Sequence, residues 1–240
     1  MRVALFVTCL VDQFFPSVGE ATVQVLRRLG VEVDFPEEQT CCGQPAFNTG
    51  YWNEAREVAG RMLTVFEPYD YVVAPSGSCV AMVKHFYADL FQADEQKRQK
   101  AASLGAKTYE LSQFLIHVLK KEDVGARFSG RVTYHDSCHG LRGLGIVDEP
   151  RRLLRAVRGL ELAELEASDR CCGFGGTFSV KMAEISVAML RDKIETIRRT
   201  GARYVIGLDS SCLMQIAGLL HRQKVPIETM HLAELLARRD

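Results

Sequence analysis

Tyr71-Val72-Val73-Ala74-Pro75-Ser76-Gly77-Ser78-Cys79 and Tyr204-Val205-Ile206-Gly207-Leu208-Asp209-Ser210-Ser211-Cys212 are the two stretches whose reading decides the fold of this chain. Each begins as a short apolar, β-branched strand, turns through small residues and ends on a cysteine. The match reaches well beyond these stretches. Cysteines stand at 9, 41, 42 and 79 and again at 138, 171, 172 and 212, at offsets of 129, 130, 130 and 133 residues. Arg2-Val3-Ala4-Leu5 before Cys9 answers Arg131-Val132-Thr133-Tyr134 before Cys138, and Cys41-Cys42-Gly43 answers Cys171-Cys172-Gly173. Leu111-Ser112-Gln113-Phe114-Leu115 answers Leu232-Ala233-Glu234-Leu235-Leu236 near the end of each half. Unrelated core cysteines would not keep such a register, so the chain is internally duplicated.

Each half alternates strand and helix patterns. Residues 2–8 form a β-branched run, and Val18, Thr22, Val25, Leu26 and Leu29 follow at helical spacing. Pro16 and Ser17 mark the start of that helix and Gly30 its stop. A strand over 31–35 leads into the double cysteine. A helix then carries Ala55, Val58, Ala59, Met62, Leu63 and Phe66 on one face. After the strand at 71–74, Val83, Phe86, Tyr87 and Leu90 continue as helix. The second half predicts helices near 149–158 and 178–200. Residues 93–102 read as a solvated helix end and 121–130 as the joint. The fold class expected is α/β, internally duplicated, with two similar parallel-sheet halves joined by helical crossovers. The expected boundaries are 1–122 and 130–240.

The 240 residues carry 30 Lys plus Arg against 30 Asp plus Glu, which leaves no charge footprint for nucleic acid or an anionic membrane. No apolar run approaches a signal peptide or a membrane span, so a soluble, cytoplasmic protein is expected. In a reducing compartment, eight cysteines read as metal ligands or redox groups before they read as disulfides.

Every cysteine follows a predicted strand, and a parallel α/β sheet gathers its ligands outside the carboxyl ends of its strands. Cys9, Cys41, Cys42 and Cys79 would therefore share one rim, and Cys138, Cys171, Cys172 and Cys212 another. Four thiols are enough for an iron–sulfur cluster. The glycines after each pair, Gly43 and the run Gly173-Phe174-Gly175-Gly176, would let backbone approach sulfur closely. Three alternatives stay open: buried structural cysteines, zinc, and a redox-active disulfide of the vicinal pair without metal. Zinc generally favours short-spaced cysteine pairs, and no C-x-x-C occurs. His135 and His139 flank Cys138 and are candidates to touch the site; His85, His117, His221 and His231 read as ordinary structural residues. Gly140, Gly143 and Gly145 do not follow the order of a dinucleotide-binding loop.

With these residues in hand, the chain resembles the cysteine-rich CCG-domain iron–sulfur proteins, the family of lactate-utilisation protein A and the glycolate oxidase iron–sulfur subunit. The matching segments are Cys41-Cys42-Gly43-Gln44-Pro45, Pro75-Ser76-Gly77-Ser78-Cys79, His135-Asp136-Ser137-Cys138-His139 and Cys171-Cys172-Gly173-Phe174-Gly175-Gly176-Thr177-Phe178. The resemblance makes each half a CCG repeat. It implies an iron–sulfur cluster, of the 4Fe-4S type, on the four cysteines of each half, with zinc as the alternative metal. It further implies electron transfer in a 2-hydroxy-acid oxidising system, L-lactate to pyruvate for the nearest type, together with iron–sulfur and substrate-handling partner subunits. Heterodisulfide reductase, a relative, ends its motifs in C-x-x-C; Met82 and Gln215 stand at those positions here, which favours four ligands over five. The ferredoxin-like cysteine region that precedes the glycolate oxidase repeats is missing as well. The chain is therefore expected to be a component of an oxidoreductase complex with no catalysis of its own. A thiol–disulfide reductase of the heterodisulfide type and a zinc-stabilised, non-redox scaffold are the competing functions.

Overall fold

The computed structural model describes residues 1–239. They fall into two compact units, Met1–Leu119 and 120–239. The first begins with β1 (Arg2–Leu5), α1 (Cys9–Phe14) and α2 (Pro16–Arg28). Pro16 sits at the start of α2, where its missing N–H is no loss, and Val18, Thr22, Val25 and Leu26 are its buried face. Then come β2 (Glu32–Asp34), α3 (Gln44–Asn48), α4 (Trp52–Val65), β3 (Val72–Ala74) and α5 (Gly77–Ala81). A π-helical turn, Met82–Phe86, leads into α6 (Tyr87–Leu90). The unit ends with α7 (Glu95–Lys107), β4 (Thr108–Glu110), α8 (Leu111–Gln113) and a second π turn, Phe114–Val118.

The second unit runs β5 (Arg127–Tyr134), a π turn at His139–Gly143, α9 (Glu149–Arg155), β6 (Arg158–Leu162), α10 (Phe178–Lys181) and α11 (Ala183–Arg199). It closes with β7 (Tyr204–Gly207), α12 (Ser210–Arg222), β8 (Glu228–His231) and α13 (Leu232–Ala237). Both sheets have four parallel strands, in the orders β2-β1-β3-β4 and β6-β5-β7-β8. The expected α/β duplication is thus present in strand order as well as in sequence. The register agrees residue by residue: Phe6 N–H donates to the Val73 carbonyl and His135 N–H to the Ile206 carbonyl, each at 2.8 Å. No helix among the described residues is long and apolar enough to cross a membrane.

Three local expectations change. The helix expected over 178–200 breaks at Met182 (φ −124°, ψ 50°), which separates α10 from α11. Residues 127–130, read as part of the joint from their glycine and polar content, belong to β5, where Phe128 packs edge-on to Tyr204. The polar stretch at 93–102 lies mostly in α7, a crossover capped by Asp94 that buries Ala101 and Leu104 and leads into β4. Few apolar positions on α7 and the brevity of β4 hid both.

The double cysteines depend on the glycine that follows them. Gly43 and Gly173 have φ of +81° and +83°, a region that penalises any residue with a Cβ. A Cβ on Gly43 would lie 3.4 Å from the Ala55 carbonyl oxygen, but one on Gly173 would lie 2.5 Å from that of Ser186. Gly173→Ala should therefore destabilise its unit by about 1–3 kcal/mol more than Gly43→Ala destabilises the first. Urea unfolding of both variants, followed by amide exchange in each unit, checks this; equal losses would show that the close approach to Ser186 does not matter.

Candidate metal centres

In each sheet the chain leaves the central strand on one side and its neighbour on the other, and the crevice at that switch point is where parallel sheets collect ligands. Cys9 opens α1 directly beyond β1. Cys79 lies in the first turn of α5 beyond β3, its N–H donating to the N-cap hydroxyl of Ser76 at 3.4 Å. Cys41 and Cys42 occupy the loop between β2 and α3, which Gln39 holds against the end of β1: its Oε1 accepts from Val7 N–H at 2.8 Å and its Nε2 donates to the Leu5 carbonyl at 3.1 Å. The result is a continuous line of thiols, Cys9 against Cys41, Cys41 against Cys42, and Cys42 against Cys79. The second unit repeats it, with Cys138 against Cys171, Cys171 against Cys172, and Cys172 against Cys212. All eight cysteines are free; Cys42, Cys79, Cys172 and Cys212 are buried and the other four half-buried.

One thiol of each set is the natural anion. Hydrogen bonds from Cys42 and Cys9, and from the Gly43 N–H, lower the Cys41 thiol to about 3. Cys138 and Cys172, with the Gly173 N–H, lower Cys171 to about 2. The glycine N–H groups lie 3.4 Å and 3.3 Å from the two sulfurs. The donors of those bonds are pushed up: Cys9 and Cys138 first by the hydrogen bond to that anion and then by burial, Cys42 and Cys172 by the same bond, then by their hydrogen bonds with Cys79 and Cys212, and then by burial. Four soft sulfur donors per half, with none tied in a disulfide, fit an iron–sulfur cluster or zinc and not a hard cation such as magnesium or calcium. Of the glycines expected near sulfur, Gly43 and Gly173 fulfil that role; Gly175 and Gly176 (φ +52° and +63°) instead turn the chain ahead of α10.

The surroundings of the two sets differ in a way that their cysteine spacing conceals. In the first unit Phe6, Met62 and Met82 are fully buried apolar residues, and the Tyr87 hydroxyl donates to the Cys42 carbonyl at 3.0 Å. In the second, His135 takes the sheet position of Phe6. One imidazole nitrogen and the sulfurs of Cys172 and Cys212 lie within 4.8 Å of one another. Burial, reinforced by the Lys193 cation, lowers His135 to about 3, so the ring is neutral. Ser186 answers Ala55 through its contact with the glycine, so the buried Lys193 holds in the second unit the position that Met62 holds in the first. Its ammonium donates to the carbonyls of Ala167 and Ser168 at 3.2 and 3.0 Å, and burial lowers it to about 8. Gln215, at the place of Met82, donates to the Ser186 hydroxyl, which in turn donates to the Gly173 carbonyl. Asp136 is buried beneath a two-pronged Arg151 contact of 2.9 and 2.7 Å.

Of the two histidines singled out beside Cys138, His139 has Nδ1 3.6 Å from the Cys138 sulfur and His135 faces the other end of the set. His231 is a buried helix cap: its Nδ1 accepts from Ala233 N–H. Lys193, Arg151 and Gln39 escaped the sequence reading. The first could have been found by aligning the halves, since a lysine stands where the first half has a core methionine.

The cysteine-rich CCG domain model matches residues 3–84 and 132–217, one stretch in each unit. Lactate utilization protein A of Geobacillus sp. (strain WCH70) is 55% identical over 239 residues, with 100% of both chains covered. The protein of that name from Bacillus subtilis (strain 168) is 52% identical over 239 residues, again with 100% of both covered. Among solved structures, a hypothetical protein from Helicobacter pylori aligns with a TM-score of 0.62 at 12% identity, covering 100% of this chain and 49% of its own, a likeness of fold alone. Two copies of the domain, each bringing its four cysteines to one sheet edge, together with full-length relatives at this identity, make the chain a member of the cysteine-rich CCG-domain family.

Proposed function

We propose that each half holds one iron–sulfur cluster, of the 4Fe-4S type, on its four cysteines, and that the chain is an electron-transfer subunit of a system oxidising L-lactate to pyruvate. The observation that carries this reading is the convergence of four free thiols on the switch point of each sheet, in a chain alike over its whole length to proteins named for lactate utilization. Such a cluster, when bound, supplies one-electron chemistry at a potential tuned by its surroundings. The residues divide the remaining work. Cys42, Cys79, Cys172 and Cys212 anchor from the buried side, while Cys9, Cys41, Cys138 and Cys171 form the half-exposed side that a redox partner can approach. The N–H groups of Gly43 and Gly173 point at sulfur and favour its negative charge.

Carbon chemistry belongs to partner subunits on this reading. A cavity of 190 Å³ opens beside Cys9 and Cys41, but its lining carries Asp12 and Glu37 and no lysine or arginine to hold a carboxylate substrate. The exposed Val180, Met182 and Ile185, on the segment after the second double cysteine, give that side an apolar character suited to a protein partner. The disulfide-reductase alternative gains nothing from Met82, fully buried, or from Gln215, which is engaged with Ser186.

Iron and sulfide analysis of anaerobically purified protein tests the cofactor. Cys42→Ala and Cys172→Ala should each lower iron to about half by emptying one site. Unchanged iron in both variants would refute ligation by the pairs, and zinc without sulfide in the parent protein would replace the cluster by a structural metal.

The chain purified alone with intact clusters should oxidise lactate negligibly, because a substrate base and a hydride acceptor are both needed. Activity should arise when iron–sulfur and substrate-handling partners are added, and fall with Cys138→Ala or Cys212→Ala. Robust turnover by the isolated chain would make it the dehydrogenase itself.

A further inference from the structure

His135 is 1% exposed and neither ring nitrogen has a hydrogen-bond partner. An imidazole left so costs about 1–3 kcal/mol relative to a satisfied one, which is why buried polar groups of this kind call for a ligand or a reactive role. The backbone does not explain the residue, because Phe6 fills the same place in the first unit with the same 2.8 Å strand hydrogen bond and packs as a core aromatic against Phe66. A phenylalanine therefore satisfies this fold at this position. What the histidine adds is a nitrogen lone pair, and it is delivered to the buried end of the thiol set, where one ring nitrogen and the sulfurs of Cys172 and Cys212 lie within 4.8 Å of one another.

We propose that His135 is a nitrogen ligand of the metal centre in the second half, so that the duplicated chain holds two chemically different centres, all-thiolate in the first half and mixed thiolate–imidazole in the second. The inference rests on the iron–sulfur reading above for the identity of the metal. Five donor atoms converge in the second half, the four cysteines and His135; at the matching place the first half has only the ring of Phe6. A four-iron cluster has four terminal ligand places, so His135 takes one of them in place of a cysteine of the second set, and exchange of an anionic thiolate for a neutral imidazole raises the reduction potential of that centre. Its neighbours act in the same direction on the potential: the Lys193 ammonium and Asp136, the latter held by Arg151, are buried in this unit where the first has Met62 and Val7, and a cation near the sulfurs likewise favours the reduced, more negative state.

The test uses the full chain, produced with ¹⁵N-labelled histidine and purified or reconstituted anaerobically with iron and sulfide, then reduced and measured by pulsed electron paramagnetic resonance. The expected result is a strongly coupled histidine nitrogen on one centre in the parent protein. That coupling should vanish in His135→Phe, which carries the first half's residue, and in His135→Gln, and persist in His139→Ala. Two variants guard against a substitution that fails to fold, and the parent spectrum decides on its own. Absence of nitrogen coupling in the parent, persistence of the coupling in folded His135→Phe, or its loss in His139→Ala would overturn the proposal while the iron–sulfur reading stands. Failure to bind iron and sulfide at all would remove that reading, and the proposal with it.

Discussion

Both centres depend on one constraint, the left-handed backbone turn at the glycine behind each double cysteine. With φ near +80°, Gly43 and Gly173 reverse the chain tightly enough to aim an N–H at the preceding sulfur and to seat the loop against the following helix. Without that turn Cys41 and Cys171 would lose the donor that favours their thiolate form, and the buried sulfurs of Cys42 and Cys172 would leave the line connecting them to Cys79 and Cys212. The sheets supply the rest. Parallel strands put the ends of β1 and β3, or β5 and β7, side by side at the same level, so cysteines about 70 residues apart in sequence meet without any long loop to hold them.

Duplication has preserved this scaffold while its surroundings diverged. Strand order and cysteine sequence are common to both units, yet four corresponding buried or half-buried positions are apolar in one and polar or ionisable in the other. Phe6, Val7, Met62 and Met82 correspond to His135, Asp136, Lys193 and Gln215. Buried charged groups are costly unless paired, and here Asp136 has Arg151 while Lys193 has two backbone carbonyls. Such groups add little to stability over well-packed methionine and valine. In a core that the first unit builds from hydrocarbon, they give the second set of thiols polar and charged surroundings that the first set lacks.

Much of this was legible in the residues. The repeated run from Tyr71 to Cys79 and from Tyr204 to Cys212 carried the strand, the turn and the ligand together, because a short β-branched stretch followed by Pro-Ser-Gly or Asp-Ser-Ser has few other conformations. The constant cysteine offset carried the topology. β4 was hidden because Thr108-Tyr109-Glu110 is a three-residue strand with no alternation long enough to detect, and the break at Met182 because helical periodicity resumes in phase beyond it. Lys193 was invisible for a different reason: a lysine in an amphipathic helix reads as solvent-facing, and only the tertiary fold turns it inward to the carbonyls of Ala167 and Ser168. His135 stands out in the sequence by its neighbourhood, but which nitrogen-bearing side chain faces which end of the thiol set is set by the pleat of β5 and by the loop beyond it.

The same geometry explains why a chain of this kind would work as one part of a larger system. An α/β protein has one favoured crevice per sheet, at the switch point, and a substrate-binding relative would use it for phosphate, carboxylate or sugar. Here both crevices are lined by sulfur. The helix openings and strand ends that could have held an anionic substrate instead present Cys9, Cys79, Cys138 and Cys212, and the cavity next to the first set is acidic. A carboxylate entering it would face Asp12 and Glu37 with no lysine or arginine in the lining, which costs Coulomb energy at close range. Reactive carbon and buried sulfur thus compete for the same places in this fold, and in this chain sulfur occupies both.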